Sequence, residues 1–194
     1  MHYYSSNQDD TLSNVQEIKV SILGKSYTFE TDHGVFSMQG LDFGTRVLLE
    51  AILSFPMEKV LDLGAGYGPI AIIVQKVKGC KVTSAEINER AWSLSKSNAR
   101  KNKAIIEALH SDGFEKVVGE FDTIITNPPI RAGKSVYYPW FHQAKAHLVD
   151  GGRFFLVIQK KQGAPSAIKE LEGIFPSVEV IEKKSGYYVI KCEK

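Results

Sequence analysis

Two segments of this sequence combine residue types and spacings that could do chemistry. The first, Leu61-Asp62-Leu63-Gly64-Ala65-Gly66-Tyr67-Gly68-Pro69, sets three glycines at alternate positions after an apolar run and places a proline behind them. Glycines there let the backbone turn tightly or approach a ligand, and proline suits a first helical position because its missing N–H is not needed. The second, Phe121-Asp122-Thr123-Ile124-Ile125-Thr126-Asn127-Pro128-Pro129-Ile130, puts an amide and two prolines directly after a strand-like run. Strand ends of this kind are where α/β proteins bind ligands.

A glycine turn between strand and helix also serves dinucleotide enzymes, and some such turns are purely structural. Asp62 discriminates among these readings. A carboxylate beside the loop would repel a pyrophosphate but attract a ligand bearing an ammonium and a sulfonium charge, as S-adenosylmethionine does. Pro69 also stands where a dinucleotide fingerprint carries its third glycine, which argues against a nicotinamide cofactor. Glu86, about 20 residues past the loop, is placed to accept hydrogen bonds from two ribose hydroxyls; the alternative is a solvated acid at a strand end. Ile87 could cover one adenine face. Asp112 could accept from the adenine amino group, and it reads equally well as a turn former.

The asparagine and prolines suit a particular chemical difficulty. An exocyclic amine on a base is a poor nucleophile because its lone pair is delocalised into the ring, so a catalyst must hold it pyramidal and aimed. The Asn127 side-chain oxygen and the Pro128 carbonyl can supply two acceptors in fixed geometry, and Pro129 stiffens the backbone that presents them. Asn-Pro-Pro alone is a common loop sequence; its position after a buried strand, downstream of an acidic glycine loop, gives it meaning.

The elements that must position these residues follow from periodicity and turn chemistry. Strand-like and helix-like segments alternate from Lys59 onward: Val60 to Leu63, a helix opening near Pro69, Lys81 to Glu86, a helix from Asn88 to Asn102, Ile105 to His110, and Phe121 to Thr126. That alternation predicts a parallel sheet covered by helices. A helix over Val136 to Leu148, a turn at Asp150-Gly151-Gly152 and a doubly buried strand over Arg153 to Ile158 continue it. A helix from about Ser166 to Ile174 follows. Val178 to Lys183 and Tyr187 to Cys192 are then joined by a turn too short for a parallel crossover, so they are antiparallel neighbours. Ahead of the core, Ile18 to Leu23 and Ser26 to Glu30 read as a hairpin, and Phe43 to Phe55 as an amphipathic segment packed on the sheet. The whole of 1–194 reads as one domain: a polar tail over 1–14, hairpin and helix over 15–58, and an α/β, Rossmann-like core over 59–194.

Bulk properties exclude more than they assign. With 43% hydrophobic and 24% charged residues among 194, the chain can bury one α/β core. A formal charge of +2 neither requires nor excludes a nucleic-acid partner, which depends on clustered Lys and Arg. Cys80 and Cys192 lack a second Cys or His at ligand spacing, His142 and His147 are off the helical spacing for two ligands, and no metal is expected. No run approaches the roughly 18 apolar residues of a membrane span, and the N-terminus has no signal-type apolar stretch, so a soluble, cytoplasmic protein is expected.

With these residues in view, the chain resembles class I S-adenosylmethionine-dependent methyltransferases of the small-domain type, close to the catalytic half of guanine-N2 methyltransferases of ribosomal small-subunit (16S) RNA. Besides the two segments above, Gly34-Val35-Phe36-Ser37 and Leu41-Asp42-Phe43-Gly44-Thr45 look like that family's stretch preceding the cofactor loop. The resemblance implies a seven-stranded, mostly parallel sheet ending in an antiparallel hairpin. It also implies that Asp62, Gly64 and Gly66 meet the methionine part of the cofactor, Glu86 the ribose, and Ile87 and Asp112 the adenine, with Ala65 a further cofactor-binding residue of the loop. Asn127, Pro128, Pro129 and Ile130 would form the catalytic loop around the target amine.

Two departures stand out. Ile130 occupies a place where the family usually has an aromatic residue that stacks on a flipped base. Only about 55 residues precede the core, where the guanine-N2 enzymes carry a further N-terminal domain for RNA. For the substrate side, Arg131, Lys134, Lys160 and Lys161 should flank the same sheet edge and could form a phosphate-binding rim, or be ordinary solvated surface. Phe36, Tyr137, Tyr138 and Trp140 could stack on unpaired bases, with at least half of them expected in the core. RNA, as ribosomal RNA or within a ribosomal particle, is the expected partner; methylation of a protein glutamine, or a non-catalytic RNA-binding or assembly role, are the alternatives.

Overall fold

In the computed structural model, residues 13–33, 35 and 40–194 are described. Strands β1 (Gln16–Ile22) and β2 (Lys25–Thr31) form the expected hairpin, turning through Leu23 and Gly24, both at positive φ. That left-handed pair gives the tight hairpin turn whose twist matches its strands. Helix α1 (Phe43–Ile52) follows, its first turn closed by Asp42, whose carboxylate accepts the Thr45 N–H at 3.0 Å.

Seven strands then build the main sheet: β3 (Lys59–Leu63), β4 (Lys81–Glu86), β5 (Glu107–His110), β6 (Phe121–Thr126), β7 (Leu148–Gln159), β8 (Ser177–Lys184) and β9 (Tyr187–Glu193). Their order is β5-β4-β3-β6-β7-β9-β8, parallel from β5 to β7, with β9 antiparallel to both of its neighbours. Helices α2 (Pro69–Lys78), α3 (Glu89–Lys101), α4 (Lys134–Ala146) and α5 (Ala164–Glu172) connect these strands. The fold is therefore the Rossmann-like sheet with an antiparallel C-terminal hairpin. The chain leaves β3 for β4 and β5 on one side and returns to β6 on the other, so a crevice opens at the carboxyl ends of β3 and β6.

Alternation along the strands sorts the core into two layers. In β7, Phe155 and Val157 join Val60, Phe29, Leu48 and Ile72 on the face covered by α1, α2 and α3, whereas Phe154, Leu156 and Ile158 join Leu61, Leu63 and Phe141 under α4 and α5. In β3 the same alternation places Asp62 on the side of Val60, within an apolar layer and fully buried.

Some local expectations change. The Asp150-Gly151-Gly152 stretch is a bulge inside β7, not a turn before it: Phe121 pairs with Leu148 but Thr123 with Arg153. Lys194 exchanges backbone hydrogen bonds with Gly151 and Gly152, which holds them beside the ladder. Strand β5 begins at Glu107, with Ile105 exposed, because only its last four residues reach β4. Helices α4 and α5 each begin two residues earlier than the periodicity indicated. Among the described residues, no helix is long and apolar enough to cross a membrane, and no group of three or more His, Cys, Asp or Glu could hold a metal ion.

Candidate active site

A cavity of about 250 Å³ occupies the crevice. Its first wall is the glycine loop, where Gly64, Gly66 and Gly68 all have positive φ and the N–H groups of Gly64 and Ala65 both bond to the Ala85 carbonyl. Every other residue thus takes a conformation that favours glycine, which is why the loop can fold flat over the end of β4. The Trp140 indole packs against the loop, 3.4 Å from where a side chain on Gly64 would begin.

Trp140 is held from its other side by Gly113, which has φ +49° and packs so closely that a Cβ at this position would lie 2.6 Å from the indole nitrogen. Gly113→Ala should therefore cost about 1–3 kcal/mol of stability through strain and overpacking. A thermal midpoint within about one degree of wild type would show that this contact carries no constraint.

Glu86 closes β4 and lines the cavity. Its Oε2 accepts the Gly66 N–H at 2.7 Å and its Oε1 the Asn88 N–H at 2.8 Å. Burial pushes its pKa up, opposed by these backbone hydrogen bonds. Each oxygen retains acceptor capacity for a hydroxyl. Asp62 lies outside the lining, with Oδ2 accepting the Ala71 N–H at 3.0 Å and Oδ1 buried without a hydrogen-bond partner. Burial raises its pKa to about 7, with the nearby Glu86 charge adding to the rise. Ile87 and Asp112 are also outside the lining. The Ile87 carbonyl lies 2.8 Å from His110 Nε2, and the Asp112 carbonyl accepts the Glu115 N–H in a turn.

The second wall is the end of β6. Asn127, Pro128, Pro129 and Ile130 all line the cavity. The Pro128 carbonyl accepts the Ile130 N–H at 2.8 Å, so one of its two acceptor positions is occupied. Asn127 Nδ2 donates to Asp42 Oδ2 at 3.1 Å and to Thr45 Oγ1 at 2.9 Å.

Of the expected basic rim, Arg131 is exposed and lines the cavity, whereas Lys134 and Lys160 lie outside it. Lys134 donates to Ser166 Oγ at 2.9 Å, and the Lys160 backbone N–H bonds to the Gly186 carbonyl. Tyr137 and Trp140 are core residues, 1% and 4% exposed, while Tyr138 is half-buried. Phe36 lies outside the described residues.

Sequence reasoning missed Asp42, Thr45, Asn88 and Tyr187, all of which line the cavity. Asn88 was legible as a helix start, and its side chain accepts the Ala91 N–H as the cap of α3. For Tyr187 a faint signal existed in Gly44. This glycine sits inside α1, where glycine is disfavoured, and a Cβ there would come within 2.7 Å of the Tyr187 ring.

Residues 26–191 match the model of a family described as methyltransferase small domain. The chain belongs to this family. It is an S-adenosylmethionine-dependent methyltransferase. This small-domain methyltransferase is 42% identical over 198 residues to YbxB, an uncharacterized protein of Bacillus subtilis strain 168, covering 100% of this chain and 98% of that one. It is 40% identical over 129 residues to the ribosomal RNA small subunit methyltransferase C of Pasteurella multocida strain Pm70, covering 64% of this chain and 39% of that protein. The T. thermophilus 16S rRNA N2 G1207 methyltransferase RsmC, solved in complex with AdoMet and guanosine, superposes with a TM-score of 0.84 at 31% identity, over 93% of this chain and 50% of that one. The chain thus spans half or less of these two ribosomal RNA methyltransferases.

The residues present fit the cofactor. A glycine loop whose alternate residues take positive φ, a strand-end carboxylate in the wall and a second carboxylate with an unpartnered oxygen in β3 just ahead of the loop suit a ligand with ribose hydroxyls and two positive charges.

Proposed function

We propose that this methyltransferase methylates an exocyclic amino group, with guanine N2 in ribosomal RNA as the target. The observation that carries this reading is Asn127: its amide nitrogen is occupied by Asp42 and Thr45, while the residue lines the same cavity as Glu86 and the glycine loop. S-adenosylmethionine supplies an electrophilic sulfonium methyl group when bound. Gly64, Ala65 and Gly66 would hold its methionine part, with the Asp62 carboxylate in β3 close behind the loop, and Glu86 would accept from the ribose hydroxyls. Ile87 and Asp112, which lie outside the lining, would be the residues on the adenine side.

Asn127 Oδ1 and the free acceptor position of the Pro128 carbonyl each take one N–H of the target amine. This draws its lone pair out of conjugation and aims it for in-line attack. With the methyl group supplied by the bound cofactor, the amine nitrogen would be the attacking group and its surplus proton would leave to water, so no residue of the chain would need to form a covalent intermediate. Pro129 and Ile130 hold the loop. Arg131, with Lys134 and Lys160 farther out, meets RNA phosphates, and Phe36 keeps its sequence-based assignment to the substrate.

Tyr187 brings an aromatic ring to the cavity wall, where Ile130 brings none. Tyr187→Ala should raise KM for RNA roughly 10-fold or more, the worth of one base-stacking contact. Tyr187→Phe, which keeps the ring, should retain most of the affinity. Equal KM for the alanine variant and wild type would take Tyr187 out of substrate binding.

The test of the function itself is transfer of labelled methyl to RNA from cells lacking this gene, with protein from the same cells in parallel. Label recovered as N2-methylguanine is the expected result. Label in protein would replace it with glutamine methylation, since a side-chain amide nitrogen is delocalised in the same way and Ile130 removes the usual stacking residue. Cofactor binding with no transfer to either fraction would leave an assembled ribosomal particle, assayed next, or a non-catalytic role.

A further inference from the structure

Asn127 is held by residues more than 80 positions earlier in the chain. Its Nδ2 carries two hydrogens, and both are used: one meets Asp42 Oδ2 at 3.1 Å, the other Thr45 Oγ1 at 2.9 Å. The same Asp42 oxygen accepts the Thr45 backbone N–H at 3.0 Å, which ties it to the start of α1. A carboxylate oxygen only accepts, so the amide cannot be turned round: a flip would set Asn127 Oδ1 against Asp42 Oδ2 at hydrogen-bond distance with no proton between them. The amide oxygen is left as the polar atom of Asn127 available to a ligand.

We infer that Asp42 and Thr45 are positioning residues that lock the Asn127 amide with its oxygen offered to the cavity, so that the site accepts a hydrogen-bond donor at the reacting atom and rejects an acceptor. The inference rests on the reading of Asn127 as the acceptor of the target nitrogen. It adds a reason for substrate choice: an amine or amide N–H is welcomed at this point, whereas a carbonyl or ring nitrogen lone pair meets another lone pair.

Asp42 also caps α1, so the variants must separate the cap from the lock. Serine is a good cap but too short to reach Asn127, whereas asparagine can place its oxygen where Oδ2 stands and keep both accepted bonds. Asp42→Ser and Thr45→Val should each lower kcat about 10-fold or more with cofactor Kd little changed. Asp42→Asn should recover most of what serine loses. In an Asn127→Ala background, Asp42→Ser should add less than about a twofold further loss.

Side-chain amide exchange of Asn127, followed by NMR without any substrate, provides an independent reading. Its protons should be protected in wild type and Asp42→Asn and exchange faster in Asp42→Ser. Wild-type protection in the serine variant would overturn the inference. So would an asparagine variant as damaged as serine, which would show that charge matters and not the lock, or losses falling on cofactor Kd. If wild type methylates neither RNA, free or in ribosomal particles, nor protein, the functional proposal fails on its own, and the exchange measurement still decides whether the lock exists.

Discussion

Asn127→Ala is expected to lower turnover about 100-fold or more while leaving cofactor affinity within about twofold. The size follows from what the side chain is asked to do. Positive charge develops on the attacked nitrogen as the methyl transfers, and an acceptor already aimed at its N–H needs no reorganisation at that moment. Removing a single preorganised partner of this kind typically costs two to three orders of magnitude. Folding should be little affected, because Asp42 Oδ2 keeps the Thr45 N–H when Asn127 is truncated, so no buried charge is stranded. Single-turnover methyl transfer and calorimetric cofactor binding separate the two quantities. Unchanged turnover would remove Asn127 from the mechanism, and a loss confined to cofactor affinity would reassign it to cofactor binding.

Asp62→Asn is expected to move stability and cofactor affinity in opposite directions. The carboxyl is fully buried in an apolar layer, and its pKa is raised from 3.8 to about 7, chiefly by desolvation. A group whose folded pKa lies above its unfolded value stabilises fully below the unfolded pKa and loses that contribution as pH rises through the folded one. The cofactor-free protein should therefore lose stability between about pH 4 and 7, by roughly 2–4 kcal/mol from this group. Asparagine can still accept the Ala71 N–H without carrying charge, so the variant should melt higher than wild type at pH 8, with the gap closing toward pH 5. Its affinity for the dicationic portion of the cofactor should fall roughly 10- to 100-fold at pH 8, the worth of one nearby charge in a partly screened interior. Wild type should also release protons on binding near pH 7, seen as a buffer-dependent heat that the variant lacks. Equal melting at pH 8 would show that Asp62 is not strained, and equal affinity that its charge is not felt by the ligand.

The order of strands and helices, the glycine loop, the antiparallel ending and the placement of Asn127 at a strand end were all legible in the sequence, because each is written locally. A strand run, a turn residue or a helix cap depends on neighbours a few positions away. The pairing of Asp42 and Thr45 with Asn127 was not legible, since Leu41-Asp42-Phe43-Gly44-Thr45 reads only as a stretch like the family's ahead of the cofactor loop, running into an amphipathic segment; the start of α1 meets the end of β6 because α1 packs on the sheet to which β6 belongs. Tyr187 reaches the cavity because β9 inserts between β7 and β8. Asp62 could be read as acidic and near the loop, but its complete burial follows from the face of β3 on which it falls once α2 covers that face. Local chemistry therefore determined which elements form and which groups they carry, whereas the packing of elements distant in sequence decided which groups meet, which are desolvated and which remain open to a substrate.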